Sequence, residues 1–149
     1  MTALAHETTQ PIDSPLTVTL ADGDEGANVL ARLLKQHIDA IVEADPRKAG
    51  AARRIHGKLG LHSTDPEARA TLVFDGVGIT VKNGFDPGLD ATVTGPLKLQ
   101  TETLTGQANP YLALLRRRLK LGIRWRRPLF SARTHRFLVV PESLRPPAA

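Results

Sequence analysis

Residues 53–82 read RRIHGKLGLHSTDPEARATLVFDGVGITVK, and this stretch decides the fold class. Apolar and polar side chains alternate over residues 53–63 and again over 77–82, and residues 69–74 between them carry β-branched and aromatic types. Such patterns are typical of half-buried β-strands. Two turn sequences, TDPE and DG, separate the three runs. The sequence therefore predicts a three-stranded antiparallel meander.

A helix is predicted upstream of the meander, over residues 27–44. Apolar side chains recur there at three- and four-residue spacing with charged side chains opposite, which indicates an amphipathic helix. Acidic residues before it, Asp22, Asp24 and Glu25, suit the positive end of the helix dipole. The Asp45-Pro46 pair ends the helix, because a residue before proline avoids the helical conformation. The residues that follow are interpreted as a turn-rich connection.

Downstream of the meander the pattern changes to short elements. A strand at residues 91–94 is followed by short helices that begin at Pro96, Pro110 and Pro128, since proline suits the first helical position. Alternating residues from Leu119 to Trp125 predict one more strand before the last helix. Because the helices gather toward the ends of the chain and do not separate every pair of strands, the order favours an α+β domain.

The chain of 149 residues has the length of a single domain. Its ends contain several prolines and lack apolar periodicity, which predicts loose tails at 1–15 and 141–149 and one domain over 16–140. Cysteine is absent, so disulfides and thiolate chemistry are excluded. With no apolar run of 18 residues and no charged leader before an apolar segment, we expect a soluble, cytoplasmic protein.

Charge is distributed unevenly along the chain. Residues 1–102 carry 14 acidic and 10 basic side chains, whereas residues 103–149 carry one acidic and 10 basic side chains. A basic face could meet an anionic membrane surface, an acidic protein or nucleic acid, and a solvated surface without a partner is the alternative. Nucleic acid is disfavoured because no zinc-binding spacing, base-reading helix or aromatic pair on a strand is recognisable.

Three short segments point to a known family. They are DATVTGP at residues 90–96, LTGQANP at 104–110 and LKLG at 119–122. Their order, with the helix and meander before them, resembles the sterol carrier protein type 2 family of lipid-binding domains over residues 27–140. The resemblance implies a five-stranded sheet covered on one face by helices. It also implies an apolar tunnel between these layers for sterols, fatty acids or their coenzyme A esters, and no catalytic residues.

The second half of the chain supplies most of the candidate ligand residues, because large apolar side chains occur there on short helices that pack incompletely. Each of these residues could instead simply fill the core. The predicted walls of the ligand site are Ile79, Val93, Leu97, Leu104, Tyr111, Leu112, Leu115, Trp125, Phe130 and Phe137. Basic residues predicted to contact a ligand head group or a membrane are Arg116, Arg117, Arg118, Arg124, Arg126 and Arg127.

No catalytic constellation is recognisable in the sequence. His56 and His62 lie about 20 Å apart along their strand, too far to share one metal ion. His37 is interpreted as a boundary residue at the apolar margin of the first helix. No serine lies in a Gly-x-Ser-x-Gly context, and Gly76-Val77-Gly78 lacks the third glycine of a dinucleotide loop. We therefore predict no catalytic residue, no metal and no cofactor, and expect a protein that is not an enzyme.

The main functional hypothesis is non-catalytic binding or carrying of a hydrophobic small molecule. The alternative is an accessory interaction module whose basic carboxy-terminal face binds an acidic partner, a membrane surface or nucleic acid. A third possibility is a domain that lends substrate binding to a separately encoded enzyme. The sequence leaves the ligand and the oligomeric state open.

Overall fold

The meander predicted over residues 53–82 is present in the computed structural model, which describes residues 16–105, 107, 116–123 and 128–139. In these residues the strands are β1 Thr17–Leu20, β2 His56–Thr64, β3 Glu67–Asp75, β4 Gly78–Asn83, β5 Ala91–Gly95 and β6 Lys120–Ile123. The helices are α1 Gly23–Gly26, α2 Val29–Ala44, α3 Arg47–Arg53, α4 Leu97–Leu104 and α5 Pro128–Leu138. The predicted α+β class is confirmed.

The strands form one mixed sheet in the order β1-β4-β3-β2-β5-β6. The pairs β2 with β3, β3 with β4 and β5 with β6 are antiparallel, whereas β1 with β4 and β2 with β5 are parallel. The meander therefore occupies the centre, and each of its outer strands gains a parallel neighbour. The parallel pairing of β2 with β5 places α4, which follows β5 directly, beside the end of β2.

Alternating side chains of the central strands form the core with the helices. Leu59 and Leu61 of β2 are buried on this face, and Phe74 of β3 meets the rings of Phe130 and Phe137 edge to face at 6.3 and 5.9 Å. These aromatic contacts hold α5 on the sheet. On the opposite face, the link between β4 and β5 covers the sheet at Gly60. A Cβ there would lie 2.8 Å from Leu89 and 2.9 Å from Phe85.

The start of β2 is joined closely to its neighbours through Gly57. This glycine has φ +149°, and a Cβ on it would lie 2.6 Å from both Asp90 Oδ2 and Phe130 Cε1. Asp90 Oδ2 accepts a hydrogen bond of 2.9 Å from the Lys58 amide, and the Asp90 amide donates to the Lys58 carbonyl at 2.8 Å. The buried Asp90 carboxylate therefore has a structural role at the junction of β2 and β5.

An asparagine fixes the start of α2, and the acidic residues before it do not belong to that helix. Asn28 Oδ1 accepts from the Ala31 amide at 2.8 Å, while Asn28 Nδ2 donates to the Arg69 carbonyl at 2.9 Å. Asn83 Oδ1 accepts from the Asn28 amide at 2.8 Å. Together these bonds cap the helix and tie it to β3 and β4. Of the acidic residues predicted to start the helix, Asp24 and Glu25 instead belong to the short helix α1 and Asp22 precedes it. Asp22 Oδ2 accepts a hydrogen bond from the Asn83 amide at 2.8 Å.

Two sequence-based expectations are corrected. The predicted five-stranded sheet has six strands in the described residues, because the short segment Thr17–Leu20 pairs with β4 as an edge strand. The connection after α2, interpreted as turns, contains the helix Arg47–Arg53. The strand predicted over Leu119–Trp125 is present as Lys120–Ile123, and its last two predicted residues lie outside the described residues. The helix predicted to begin at Pro110 lies outside the described residues.

Candidate functional site

A cavity of about 300 Å³ opens between α2 and α4 above strand β2. Most of its lining is apolar and comes from the leucines Leu30, Leu33, Leu34, Leu61, Leu97 and Leu104, with the polar residues Gln36, His37, Gln100 and Thr101 completing it. Ligand sites in proteins are concave, about 300 to 1,000 Å³ in volume and mostly apolar, with a few polar groups that orient the ligand. The cavity has these properties at the lower end of that size range.

Helical periodicity brings the lining residues together from two distant parts of the chain. On α2, Leu30, Leu34 and His37 are four and three residues apart, so they share one face. On α4, Leu97, Gln100 and Leu104 share a face in the same way. The alternation of β2 points Leu61 toward the helices. The cavity is thus the space that remains where the apolar stripes of two helices meet over the sheet without filling it.

Gln100 is the buried polar residue of this lining. The residue is 4% exposed, and its Nε2 atom donates to the carbonyls of His62 and Gly95, both at 2.8 Å. These bonds attach α4 to the ends of β2 and β5. The amide oxygen Oε1 is buried and has no hydrogen-bond partner among the residues that the structure describes.

His37 connects the cavity to the end of the last helix. Its Nε2 atom contacts the carbonyl of Leu138, and Lys48 Nζ donates to the carbonyls of Arg136 and Val139 at 2.7 and 2.9 Å. Burial lowers the pKa of His37 below its usual 6.5. The Leu138 carbonyl opposes this pKa shift, and the positive charge of Lys48 adds to it. The neutral imidazole is therefore favoured, and α2 and α3 together satisfy carbonyls at the end of α5.

The predicted ligand residues fall into three groups. Leu97 and Leu104 line the cavity. Val93 packs at the boundary between the main core and the small Leu99 and Leu119 cluster, while Ile79, Phe130 and Phe137 are buried in the main core. The remaining predicted walls lie outside the described residues: Tyr111, Leu112, Leu115 and Trp125. A ligand contact for any of these residues stays a prediction.

The predicted basic head-group residues do not line this cavity where they are described. Arg116, Arg117 and Arg118 are exposed just before β6. On β6, which follows them, two apolar side chains are also exposed, Leu121 at 40% and Ile123 at 43%. Three further predicted residues, Arg124, Arg126 and Arg127, lie outside the described residues.

Sequence reasoning missed the α2 wall and Gln100. Leu30, Leu33 and Leu34 belong to an apolar stripe, and such a stripe has the same sequence signature whether it meets a packed core or a cavity. The signal for Gln100 is a polar residue at helical spacing between Leu97 and Leu104. The site was expected in the second half of the chain, whereas the described cavity has walls from both halves.

His62, which does not line the cavity, has structural contacts. His62 meets Glu67 through Nε2, and its ring lies edge to face on Phe85 at 6.3 Å. Within residues 16–105, 107, 116–123 and 128–139, no group of three or more histidine, cysteine or carboxylate side chains could hold a metal ion. None of the helices described in the chain has both the length and the apolar character needed to cross a membrane.

Solved structures with a similar fold include sterol carrier proteins. A protein described as the UbiJ-SCP2 Ubiquinone synthesis protein has TM-score 0.58 and 13% identity, covering 74% of this chain and 92% of that chain. Sterol Carrier Protein 2 from Yarrowia Lipolytica, in its apo form, has TM-score 0.52 and 16% identity, covering 74% and 87%. A crystal structure of sterol carrier protein 2 has TM-score 0.50 and 18% identity, covering 72% and 91%. At these identities the likeness establishes the fold.

The sequence comparison establishes the family. No curated protein sequence matches the chain. The pattern of the SCP-2 sterol transfer family matches residues 37–122, which is more than half of the 149 residues. The matched stretch begins at the cavity residue His37 and includes Leu61 and all of α4. The family resemblance drawn from the sequence is therefore confirmed, and the chain belongs to the SCP-2 sterol transfer family.

Proposed function

We propose that this chain binds a hydrophobic small molecule of the sterol, fatty acid or acyl-coenzyme A class in the cavity between α2 and α4. In this proposal the protein holds or carries the molecule and performs no reaction on it. The observation that carries the proposal is the cavity itself, about 300 Å³ of space bounded by six leucines. Membership of a sterol transfer family supports the same ligand class.

In this proposal the affinity comes from burial of the apolar surface of the ligand. Burial of apolar surface contributes about 25 cal/mol per Å², so about 300 Å² of ligand surface would contribute on the order of 7 kcal/mol. Association entropy offsets part of this gain, and the remaining free energy corresponds to weak to moderate binding. Longer ligands would gain more wherever further apolar surface covers them. Binding of this kind requires no reactive group in the lining.

The direct test blocks the cavity without disturbing the core. Leu33 lines the cavity but is 40% exposed, so an indole ring at this position can fill the space without being forced into packed side chains. Leu129 is 61% exposed on α5 and does not line the cavity, which makes it a matched control. We expect Leu33→Trp to weaken binding of a fluorescent sterol or fatty acid at least tenfold, and Leu129→Trp to leave it unchanged.

Native mass spectrometry of the unmodified protein completes this test. Extracted lipid should be retained by the wild-type chain and by Leu129→Trp, and lost from Leu33→Trp. If neither probe binds and no lipid is retained by the wild type, the proposal is wrong. If both tryptophan variants bind equally, the ligand occupies another part of the molecule.

The alternative function concerns the basic segment before β6. Arg116, Arg117 and Arg118 are exposed just before β6, an edge strand on which the apolar side chains of Leu121 and Ile123 are also exposed. Basic side chains near anionic lipid contribute on the order of 1 kcal/mol each, and neighbouring apolar side chains can insert among the head groups. This combination favours docking on an anionic membrane.

Vesicle flotation tests the docking surface separately from the cavity. We expect binding to vesicles containing phosphatidylserine, little binding to pure phosphatidylcholine, and loss of binding as salt is raised. Replacement of all three arginines by glutamine should abolish flotation while leaving binding of the fluorescent probe intact. Flotation that is independent of both charge and salt would contradict this alternative.

A further inference from the structure

The helices α3 and α5 lie side by side and run in opposite directions. Lys48 at the start of α3 donates to the carbonyls of Arg136 and Val139 at the end of α5, at 2.7 and 2.9 Å. The chain that leaves α3 passes the start of α5 at Gly57, where a Cβ would lie 2.6 Å from Phe130 Cε1. Both helices bury one side in the main core, so their outward sides lie next to each other on the surface.

Four residues along each helix face solvent together, at the spacing i, i+3, i+4 and i+7 that places side chains on one side of a helix. A Cβ on Gly50, at the centre of the α3 stripe, would meet nothing within 4 Å, so the space above it is open. Small residues lie near the centre of the joint surface, with long arginine side chains around them. The two stripes, which we call the basic helix face, consist of Arg47, Gly50, Ala51, Arg54, Leu129, Ala132, Arg133 and Arg136.

The basic helix face carries an excess of positive charge. Residues 47–54 and 128–139 contain six arginine or lysine side chains and no aspartate or glutamate. Asp45, just before α3, pairs with Arg47 at 3.0 Å. Among the described residues, no carboxylate forms an ion pair with Arg54, Arg133 or Arg136. A surface of this kind attracts an anionic partner.

The side chains of this face favour an acidic protein helix over other anionic partners. Membrane-binding helices insert several large apolar side chains, whereas Leu129 is the one exposed large apolar side chain on α3 and α5 where they are described. Stacking of nucleic-acid bases requires an exposed aromatic ring, but Phe130 and Phe137 of α5 are buried. Small residues such as Ala51 and Ala132, by contrast, allow another helix to pack closely, with its axis about 8 to 10 Å away.

We propose that the basic helix face binds an amphipathic helix of a partner protein, one whose narrow apolar side is flanked by glutamate or aspartate. The apolar side would contact Leu129 and Ala132, and the carboxylates would accept paired hydrogen bonds from the surrounding guanidinium groups. Arg47 and Arg54 are seven residues apart, about 10 Å along a helix axis, and carboxylates seven residues apart on the partner match this spacing. None of these residues lines the cavity, so this binding is independent of lipid binding.

Fluorescence anisotropy with a labelled synthetic helix tests the proposal on the wild-type protein. The probe contains three copies of the heptad LEAEAAA, in which a leucine seam lies between two rows of glutamates, and the reference peptide has glutamine in place of glutamate. We expect the glutamate peptide to bind about tenfold more tightly than the glutamine peptide, with an affinity that falls as salt is raised. Equal binding of the two peptides would overturn the proposal. This comparison does not depend on the folding of an altered chain.

Charge-matched variants then locate the binding surface. The test variant combines three substitutions on the face: Arg54→Gln, Arg133→Gln and Arg136→Gln. The control variant loses the same charge at exposed positions elsewhere: Arg32→Gln, Lys98→Gln and Lys120→Gln. The test variant should bind the glutamate peptide about tenfold more weakly than the wild type, and the control variant within about twofold of it. Equal losses would indicate diffuse attraction to a basic protein and would overturn the proposal.

A spin label distinguishes close packing of the peptide from long-range attraction. The sequence has no cysteine, so a nitroxide label attaches only at an introduced one. On addition of the glutamate peptide, the label on Ala132→Cys should become immobilised, whereas the label on Ala40→Cys, at an exposed position of α2, should remain as mobile as before. An unchanged spectrum from the label at position 132 with peptide bound would overturn the proposed packing.

Two other anionic probes test the choice of partner. A labelled oligodeoxythymidine and vesicles containing phosphatidylserine are measured with the same charge-matched variants. If either probe binds the wild type and loses binding in the test variant alone, while the glutamate peptide fails to bind, the proposal is wrong and the face belongs to nucleic acid or to a membrane. Circular dichroism of each variant checks that the fold is retained.

Discussion

Replacement of the Asn28 cap tests how the helix that forms one wall of the cavity is held. The Asn28 side chain makes two bonds, one from Oδ1 to the Ala31 amide at 2.8 Å and one from Nδ2 to the Arg69 carbonyl at 2.9 Å. Loss of an N-cap costs about 1 kcal/mol. Loss of the second bond costs about 0.5 to 1 kcal/mol, toward the lower end because the site is exposed. We therefore expect Asn28→Ala to lower the free energy of unfolding by about 1.5 to 2 kcal/mol.

Asn28→Ser is the matched control for this prediction. The serine hydroxyl can cap the helix but cannot reach the Arg69 carbonyl, so the variant should lose only about 0.5 to 1 kcal/mol. Urea denaturation followed by circular dichroism gives the midpoint and slope for each variant. Because Leu30 and Leu33 lie in the first turns of α2, fraying there should also weaken probe binding by Asn28→Ala more than by Asn28→Ser. Equal losses of stability in both variants would refute the reasoning.

Three further perturbations follow from named contacts. Gly57→Ala should lower the free energy of unfolding by about 3 kcal/mol, because the added methyl group would meet the Asp90 carboxylate and the Phe130 ring. Gly84→Ala, where the methyl group would enter open space, should lower it by only about 1 kcal/mol. Similar urea midpoints for the two variants would contradict the predicted steric clash at Gly57. The free energy of unfolding should fall as the pH drops below about 6.5. His37 becomes protonated in the unfolded chain at that pH, whereas its lowered pKa in the folded chain keeps the imidazole neutral, so protonation favours the unfolded state. His37→Gln should flatten the dependence of the urea midpoint on pH between 7.5 and 5.5, and an unchanged slope would exclude this histidine as a cause. Lys48→Met should lower the thermal midpoint by several degrees, because two carbonyls at the end of α5 would lose the hydrogen bonds that the Lys48 ammonium donates. Lys48→Arg should restore part of the loss. An unchanged thermal midpoint for Lys48→Met would refute the stabilising role of these bonds.

The central sheet could be predicted from the sequence because strong alternation of side chains coincides there with turn residues. Alternating strands joined by short turns favour antiparallel neighbours, and the structure has the expected antiparallel pairs. Strand β1 was missed although Thr17–Leu20 also alternates, since four residues beside a proline-rich tail form a weak pattern. The helix was predicted to begin at Ala27, where its apolar periodicity begins, and it begins at Val29. Asn28 caps it through the local bond from the Ala31 amide, whereas the bonds that join Asn28 to β3 and β4 exist only in the folded chain.

Half of the cavity could not be predicted from the residues. Leu97 and Leu104 were expected as ligand walls, but the facing wall is on α2, more than 50 residues earlier in the chain. Whether two apolar stripes interlock or leave a space depends on the distance between helices, which the order of residues does not encode locally. The free oxygen of Gln100 is likewise a property of two strand-end carbonyls that only the folded sheet brings together.

Ligand binding in the space between α2 and α4, as proposed above, would make the stability of the protein depend on its surroundings. A molecule bound there would fill apolar space that the side chains leave empty. By mass action, a free ligand concentration of 100 times the dissociation constant would add about 2.7 kcal/mol to the free energy of unfolding. Empty and loaded chains would then differ in protease resistance and in turnover. The lifetime of the protein in a cell would consequently report the local supply of its ligand.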